Sequence, residues 1–177
     1  MPTTSADPQI LNEQGKQAFQ AGQLEAAVDS FRAAAQAYAS AQDNPNAAES
    51  RNNLSVVLLR LNKAQEALDA ALGTDEVFAQ ANDLKRQGMA LGNQAAALEA
   101  LKRFDEALAM YEHSASVFAE AGEGDLRAMV LRSAAAIKLK KGKVSESAFK
   151  MVGSLDAKQN PSILDRILRA LVHFVQR

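Results

Sequence analysis

A six-residue phrase returns three times along this 177-residue chain, at intervals of forty residues. It reads YASAQD from Tyr38, FAQAND from Phe78 and FAEAGE from Phe118. Each copy sets an aromatic residue, two alanines and an acidic residue in the same register. Self-similarity at such a period indicates a structural unit that is copied and stacked. The repeat therefore constrains the fold strongly, because each unit must bury its apolar face against its neighbours.

Other positions align at the same period and describe one helix face. They recur three, four and seven positions apart, which keeps their side chains on one side of an α-helix. One column holds mostly small residues, which allow close helix contact. The columns are Leu24, Ala64, Phe104 and Val144; Ala27, Ala67, Ala107 and Ser147; Val28, Leu68, Leu108 and Ala148; and Phe31, Ala71, Tyr111 and Met151. The Ala-rich and Leu-rich composition also favours helix throughout.

Each block is predicted to contain two helices joined by a tight turn. Gly and Asn reach the left-handed conformation that closes a helix, and Lys suits the negative end of the helix dipole. The residues predicted to end the first helices are Gly22, Asn62, Lys102 and Gly142. The start signals between blocks are Asp7 before Pro8, Asn44 before Pro45, Asp83 and Asp125. Gly73 is predicted to kink the second helix of the second block.

The pattern predicts an all-α chain with four helix pairs, at about 8–42, 45–82, 84–122 and 125–157. Residues 1–7 are expected to form a disordered tail. Residues 160–177 do not fit the block pattern, and NPSILDRILRALVHFVQR has the apolar stripe of one amphipathic helix. We expect a capping helix that covers the last apolar face of the array. The alternatives are a docking surface for a second copy, for a partner or for a membrane surface.

Composition excludes several classes of function. The 20 basic residues nearly balance the 21 acidic ones, so no overall field attracts nucleic acid or an anionic membrane. The chain has no cysteine, and therefore no disulfide, thiol nucleophile or thiolate metal site. No window reaches the ~20 apolar residues of a membrane-spanning helix, and the N-terminus does not read as a signal peptide. We expect a soluble, cytoplasmic protein that binds neither nucleic acid nor membrane.

The residues that could carry catalysis are few. His113 and His173 are sixty residues apart, and neither lies at a metal-ligand spacing from a second histidine or carboxylate. The stretch GMALGN has two glycines but lies within a helical pattern and follows no strand, so it is not a phosphate loop. We expect no enzyme activity, no metal and no cofactor.

The helix pairs resemble the tetratricopeptide repeat (TPR) family. Positions that match its consensus are Leu91, Ala95, Leu98, Ala107 and Tyr111 in the third block, and Leu11, Gly15, Ala18, Ala27 and Phe31 in the first. The period of forty differs from the family's usual 34 and is similar to the arrays of spindle-orientation adaptors. ALGNQAAAL from Ala90 looks like the phrase that opens each unit in those arrays. The resemblance implies a right-handed α-solenoid with a concave groove lined by the first helix of each pair.

The resemblance also implies where a ligand would lie. The groove residues carried over by register are Asn12, Lys16, Phe19, Glu49, Asn52, Asn53, Val56, Arg60, Met89, Asn93, Glu99 and Arg132. Asn53 and Asn93 are the main candidates, because a side-chain amide pairs with peptide backbone through both a donor and an acceptor. The alternative is that each amide is bonded to a neighbouring helix. We expect Arg60, Glu99 and Arg132 to contribute specificity.

The function that follows is non-catalytic binding of a protein or extended peptide segment, as an adaptor or assembly factor. A carboxylate clamp of the chaperone-binding type is not expected, since Asn53 alone matches its positions. The alternative is a self-associating structural module that forms a homodimer through its C-terminal helix or an open repeat end. The sequence does not name the ligand or the pathway.

Overall fold

A computed structural model of the chain describes residues 7–156, and describes side chains for residues 7–142. The described residues form helices and the turns between them. The helices are α1 (Pro8–Gln20), α2 (Leu24–Ser40), α3 (Asn44–Arg60), α4 (Ala64–Ala71), α5 (Thr74–Gln80), α6 (Leu84–Ala100), α7 (Phe104–Glu120) and α8 (Gly124–Asp156). This confirms the all-α class. The predicted tail, apart from Asp7, and the predicted capping helix at 160–177 lie outside the described residues.

The helices from α1 to α7 pack in chain order within one compact unit. That unit is Met1–Ala134, and a second unit is Ala135–Arg177. In the first unit, α1 packs against α2, α2 against α3, and α3 against α4 and α5. The next first helix, α6, packs against α3, α4, α5 and α7. Helix α6 therefore has more packing partners among the described helices than α1 or α2 has.

Aspartate side chains begin three of the first helices. Asp7 Oδ1 accepts from the backbone N–H of Gln9 at 2.8 Å, and Asp83 Oδ1 accepts from that of Arg86 at 2.9 Å. Both caps confirm the prediction. The prediction that Asn44 caps α3 is wrong, because Asp43 is the cap and Asn44 is already helical. In α8 the helix begins at Gly124, so Asp125 lies in the first turn, where its charge suits the helix dipole.

The turns inside the first three pairs are left-handed, as predicted for Gly22 and Asn62, whereas Lys102 was predicted only to end a helix. The φ angles are 74° at Gly22, 59° at Asn62 and 63° at Lys102. The turns between pairs also contain a left-handed residue, which was not predicted from the sequence. There the φ angles are 60° at Gln42, 54° at Asn82 and 71° at Gly122. The chain therefore reverses by one turn geometry at every joint from α1 to α8, except at the break between α4 and α5.

In each copy of the repeated phrase the aromatic residue is buried, while most of the residues that follow it are exposed. Tyr38 packs with Ala34 and Ala47, and Phe78 packs with Ala48 and Ala90. Each aromatic thus bridges its own second helix and the next first helix. The apolar face they complete holds the predicted small and aromatic columns, including the buried Ala27, Ala67, Ala107, Phe31, Ala71 and Tyr111. Burial of these side chains supplies the main drive for stacking.

Two glycines allow the closest approach between paired helices. A Cβ atom on Gly15 would lie 2.7 Å from the ring of Phe31, and one on Gly88 would lie 2.6 Å from the ring of Phe118. Such distances are far below van der Waals contact. Each glycine therefore provides the space that an aromatic ring on the second helix of its own pair fills.

The second helix of the second block is broken rather than kinked. Helix α4 ends at Ala71, Leu72 is extended, and Gly73 has a φ of 76° before α5 begins at Thr74. Side chains from other helices bond the backbone exposed there. Arg51 donates to the carbonyl of Leu72 at 2.8 Å, and Gln94 donates to that of Ala71 at 3.2 Å.

The predicted turn at Gly142 is wrong. Helix α8 runs without interruption from Gly124 to Asp156, so the fourth block has one long helix where a pair was expected. Gly142 is exposed, and a Cβ atom there would meet no atom within 4 Å. A glycine inside a helix costs only ~1 kcal/mol, which the helix-forming residues on either side tolerate. Within residues 7–156, no helix combines the length and apolarity that crossing a bilayer requires.

Candidate functional site

Two first helices present matching stripes of side chains to solvent. Each stripe consists of positions i, i+4, i+7 and i+11, which align along one helix face. The α3 stripe is Glu49, Asn53, Val56 and Arg60, and the α6 stripe is Met89, Asn93, Ala96 and Ala100. Because α3 packs against α6, the stripes run on adjacent helices, with Asn53 and Asn93 at equivalent positions.

A pocket lies between the two stripes, and we call it the α3–α6 pocket. Its volume is about 270 Å³. The lining residues are Glu49, Asn52, Asn53, Val56, Phe78, Arg86, Met89 and Asn93. Six of the twelve groove residues expected from the sequence therefore meet at one place, although they come from two helices about forty residues apart in the chain.

The amides of Asn53 and Asn93 are available for a ligand. Both side chains are half-buried, and neither makes a hydrogen bond to any residue that the structure describes. The alternative expected from the sequence, an amide bonded to a neighbouring helix, is instead seen for Asn52 and Asn12. Asn52 Oδ1 accepts from the Thr74 hydroxyl at 3.1 Å, and Asn12 Oδ1 accepts from a serine of α3 at 3.2 Å.

Charged side chains border the α3–α6 pocket and neutralise one another. Glu49 pairs with Lys16 of α1 at 3.6 Å and with Arg86 of α6 at 3.3 Å. Arg86 also pairs with Asp83 at 2.7 Å, and its guanidinium lies 5.0 Å from the centroid of the Phe78 ring. The hydrogen bond to Asp83 raises the pKa of Arg86. Arg86 is thus held by two carboxylates and an aromatic face, and this fixes one wall of the pocket.

A second pocket lies on the other side of α6, and we call it the α6–α8 pocket. Its volume is also about 270 Å³. The lining residues are Gly88, Met89, Gly92, Asn93, Ala96, Tyr111, Phe118, Leu126, Met129, Val130 and Ser133. A Cβ atom on Gly92 would lie 3.6 Å from both Val130 and Ser114, so three helices converge behind this glycine.

Tyr111 is one of the polar residues that line this mostly apolar pocket, together with Asn93 and Ser133. Its hydroxyl donates to Glu99 Oε2 at 3.3 Å. Burial, reinforced by the negative charge of Glu99, raises the pKa of Tyr111 to about 12. The phenol therefore stays protonated at neutral pH and acts as a hydrogen-bond donor toward Glu99.

The other predicted groove residues line neither pocket. The guanidinium of Arg60 lies 5.8 Å from the centroid of the Phe19 ring, and Lys16 is paired with Glu49. Glu99 accepts from Tyr111, and Arg132 is exposed on α8. Asn12 contacts a buried serine. These residues share the helix register of the pocket residues, but they do not line either pocket.

Sequence reasoning missed several pocket residues, among them Phe78, Arg86 and Tyr111. Phe78 and Tyr111 were assigned to the core, where they also belong, since both are buried and each also lines a pocket. Arg86 had a local signal: it lies three residues after the capping residue Asp83, a spacing that favours an ion pair on a helix.

Of the two histidines considered for catalysis, His113 lies among the described residues and His173 lies outside them. His113 is exposed on α7, while the neighbouring Ser114 is buried and donates to the carbonyl of Gly88 at 2.7 Å. Among residues 7–142, no group of three His, Asp or Glu side chains is placed to hold a metal ion. No protein-family model and no curated protein sequence matches the chain.

Proposed function

We propose that this chain is a TPR-like, right-handed α-solenoid that binds an extended protein or peptide segment along the α3 and α6 stripes. It acts without catalysis, as a cytoplasmic adaptor or assembly factor. Support for the architecture comes from the forty-residue repeat, the helix pairs and the glycine-aromatic contacts within two of those pairs. Support for binding comes from surface chemistry, because fold alone does not specify function.

One observation carries the proposal: two amides that are unpaired among residues 7–142 lie at equivalent positions of adjacent helices and line the same pocket. An extended peptide offers a backbone donor and acceptor at regular intervals, and an asparagine side chain satisfies both. Such contacts hold a segment without specifying its sequence, while the apolar pocket walls select its side chains. The buried Asn52 shows the contrast, since its oxygen is already used by Thr74.

The test removes both amides. A phage-displayed library of random twelve-residue peptides is selected on the immobilised wild-type chain, and enriched peptides are synthesised and titrated. We expect Asn53→Ala combined with Asn93→Ala to weaken their binding by at least about tenfold, since each lost amide leaves ligand backbone groups unpaired. The melting temperature should not fall, because these amides make no hydrogen bonds within the described part of the chain.

The matched control is Asn44→Ala, which removes an exposed asparagine of α3 that lines neither pocket. Its binding should equal that of the wild type. Failure to enrich any peptide on the wild-type chain, or equal binding by the double variant, would overturn the proposal.

A further inference from the structure

The two pockets share one wall and differ little in size. Met89 and Asn93 line both of them, so α6 separates two openings of about 270 Å³ each. Each is smaller than the roughly 300–1,000 Å³ typical of a site for a drug-sized ligand. A single large apolar side chain is a better match to such a space than a free small molecule. Two adjacent spaces of this size call for two side chains from one segment.

The surface between the pockets is uncharged. From Gly88 to Leu98, the α6 residues that reach solvent are Met89, Gly92, Asn93 and Ala96. The charges that border this surface belong to Glu49 and Arg86, which are paired with each other and with further partners, and to Glu99, which accepts from Tyr111 of the α6–α8 pocket. A charged ligand group placed here would lose water without gaining a counter-charge. Electrostatic complementarity therefore favours a segment that is uncharged where it crosses α6.

Two methionines adapt the pocket walls to an apolar occupant. Met89 is 46 % exposed between the pockets, and Met129 is 50 % exposed at the α6–α8 pocket. Methionine side chains are unbranched and flexible, so they adjust to the shape of what covers them. The same walls include the rings of Phe78 and Phe118, which offer rigid apolar surface behind the methionines.

The distance between the two pockets sets the spacing of the two apolar side chains of the ligand, which we call its anchors. The pockets flank one helix, so their centres are separated by roughly one interhelical distance of 8–10 Å. A peptide in the polyproline II conformation rises about 3.1 Å per residue and has three residues per turn. Side chains three positions apart therefore point in the same direction and lie about 9 Å apart. A β-strand instead brings side chains to one face at about 7 Å or 13 Å.

We infer that the ligand is an uncharged, extended segment with two large apolar side chains three positions apart, one in each pocket. Between them, its backbone crosses Met89 and pairs with the amide of Asn93. The inference rests on the proposed function and specifies the chemical class of the partner.

The test uses designed peptides on the full chain. A set derived from an enriched peptide carries two leucines separated by two, three or four positions in an otherwise Ala, Ser and Pro background. We expect the three-position spacing to bind about tenfold more tightly than either neighbour, because only it fills both pockets. Replacing either leucine with Asp should cost roughly 10- to 100-fold.

A variant that fills one pocket shows which leucine of the peptide binds in that pocket. Ala96→Leu extends a side chain into the α6–α8 pocket, and Ala100→Leu is the matched control, since it lies one turn along α6 and lines neither pocket. We expect Ala96→Leu to reduce binding roughly 10- to 100-fold and Ala100→Leu to leave it unchanged. A peptide that carries only the leucine for the α3–α6 pocket should bind the Ala96→Leu variant as tightly as it binds the wild type.

The outcomes separate the two proposals. Binding that depends on Asn53 and Asn93 but not on leucine spacing, or that tolerates Ala96→Leu, overturns this inference and leaves the proposed function standing. Enriched peptides with charged residues at the anchor positions overturn it equally. Absence of any Asn-dependent peptide binding overturns both.

Discussion

At the scale of single residues, neighbours in the chain have opposite roles. Asn52 is buried and bonded to Thr74, while Asn53 is half-buried with its amide unpaired within the described part of the chain. One residue along a helix rotates the side chain by about 100°, which moves it from the interior to the surface. The chemistry of asparagine is the same in both places, so its role is decided by the partner it meets.

Two serines of α3 provide a test of buried polar groups. Both are fully buried, but the Ser50 hydroxyl is bonded to Asn12 and to the carbonyl of Asn46, whereas the Ser55 hydroxyl has no partner among the described residues. A buried unpaired hydroxyl costs about 1–3 kcal/mol. We expect Ser55→Ala to raise the free energy of unfolding by ~1 kcal/mol or more, and Ser50→Ala to lower it by a similar amount.

Urea unfolding followed by circular dichroism measures both changes. Opposite signs for the same substitution on one helix would attribute the effect to hydrogen bonding rather than to helix propensity, which favours Ala in both cases. Destabilisation by Ser55→Ala would show that its hydroxyl is bonded in solution.

Asp83 makes the start of α6 sensitive to pH. The backbone N–H of Arg86, together with the Arg86 side chain, lowers the pKa of the Asp83 carboxyl. Because the folded state favours the charged form, this contribution is complete above the unfolded-state pKa of about 3.9 and is lost as the pH falls through the lower folded-state pKa. Asn at this position keeps a capping oxygen but has no charge.

We therefore expect Asp83→Asn to lower the free energy of unfolding by a constant amount between about pH 5 and 7, and by progressively less toward pH 3. Urea titrations of wild type and variant at each pH give this difference directly. A difference that stays the same down to pH 3 would show that the charge of Asp83 contributes nothing.

At the scale of helices, two glycines that look alike in the sequence differ in conformation. Gly73 has a φ of 76° and separates α4 from α5, while Gly142 lies inside α8. The break at Gly73 is supported from outside, since Arg51 and Gln94 bond the carbonyls that the broken helix leaves free. At Gly142 the local signal for a turn was the same as at Gly22, but the helix continues.

Alanine at these two positions distinguishes the conformations. A left-handed residue with a Cβ atom costs about 1–2 kcal/mol, whereas alanine inside a helix gains ~1 kcal/mol over glycine. We expect Gly73→Ala to lower the melting temperature and Gly142→Ala to raise helicity and stability slightly. A loss of stability in both variants would indicate that Gly142 forms the predicted turn after all.

At the scale of the whole chain, most of the correct predictions came from sequence signals among neighbouring residues. The helix class, the aspartate caps at Asp7 and Asp83, and the turns at Gly22, Asn62 and Lys102 all depend on residues within a few positions of each other. The signals failed where they were ambiguous, at Gly142, or where two candidates were adjacent, at Asp43 and Asn44. The register carried over from the resemblance grouped residues of α3 and α6 that line one pocket in the structure, because equivalent positions of adjacent helices face the same way.

The sequence by itself determined the helices, their period and the face that each buries, because these follow from local backbone preferences and the spacing of apolar side chains. Tertiary structure decided which polar groups remain available. The pairing of Glu49 with Lys16 and Arg86 joins three helices, and the bond from Thr74 to Asn52 spans 22 residues. Such partners are set by packing between helices, and whether an amide is free or occupied depends on those partners rather than on its neighbours in the chain.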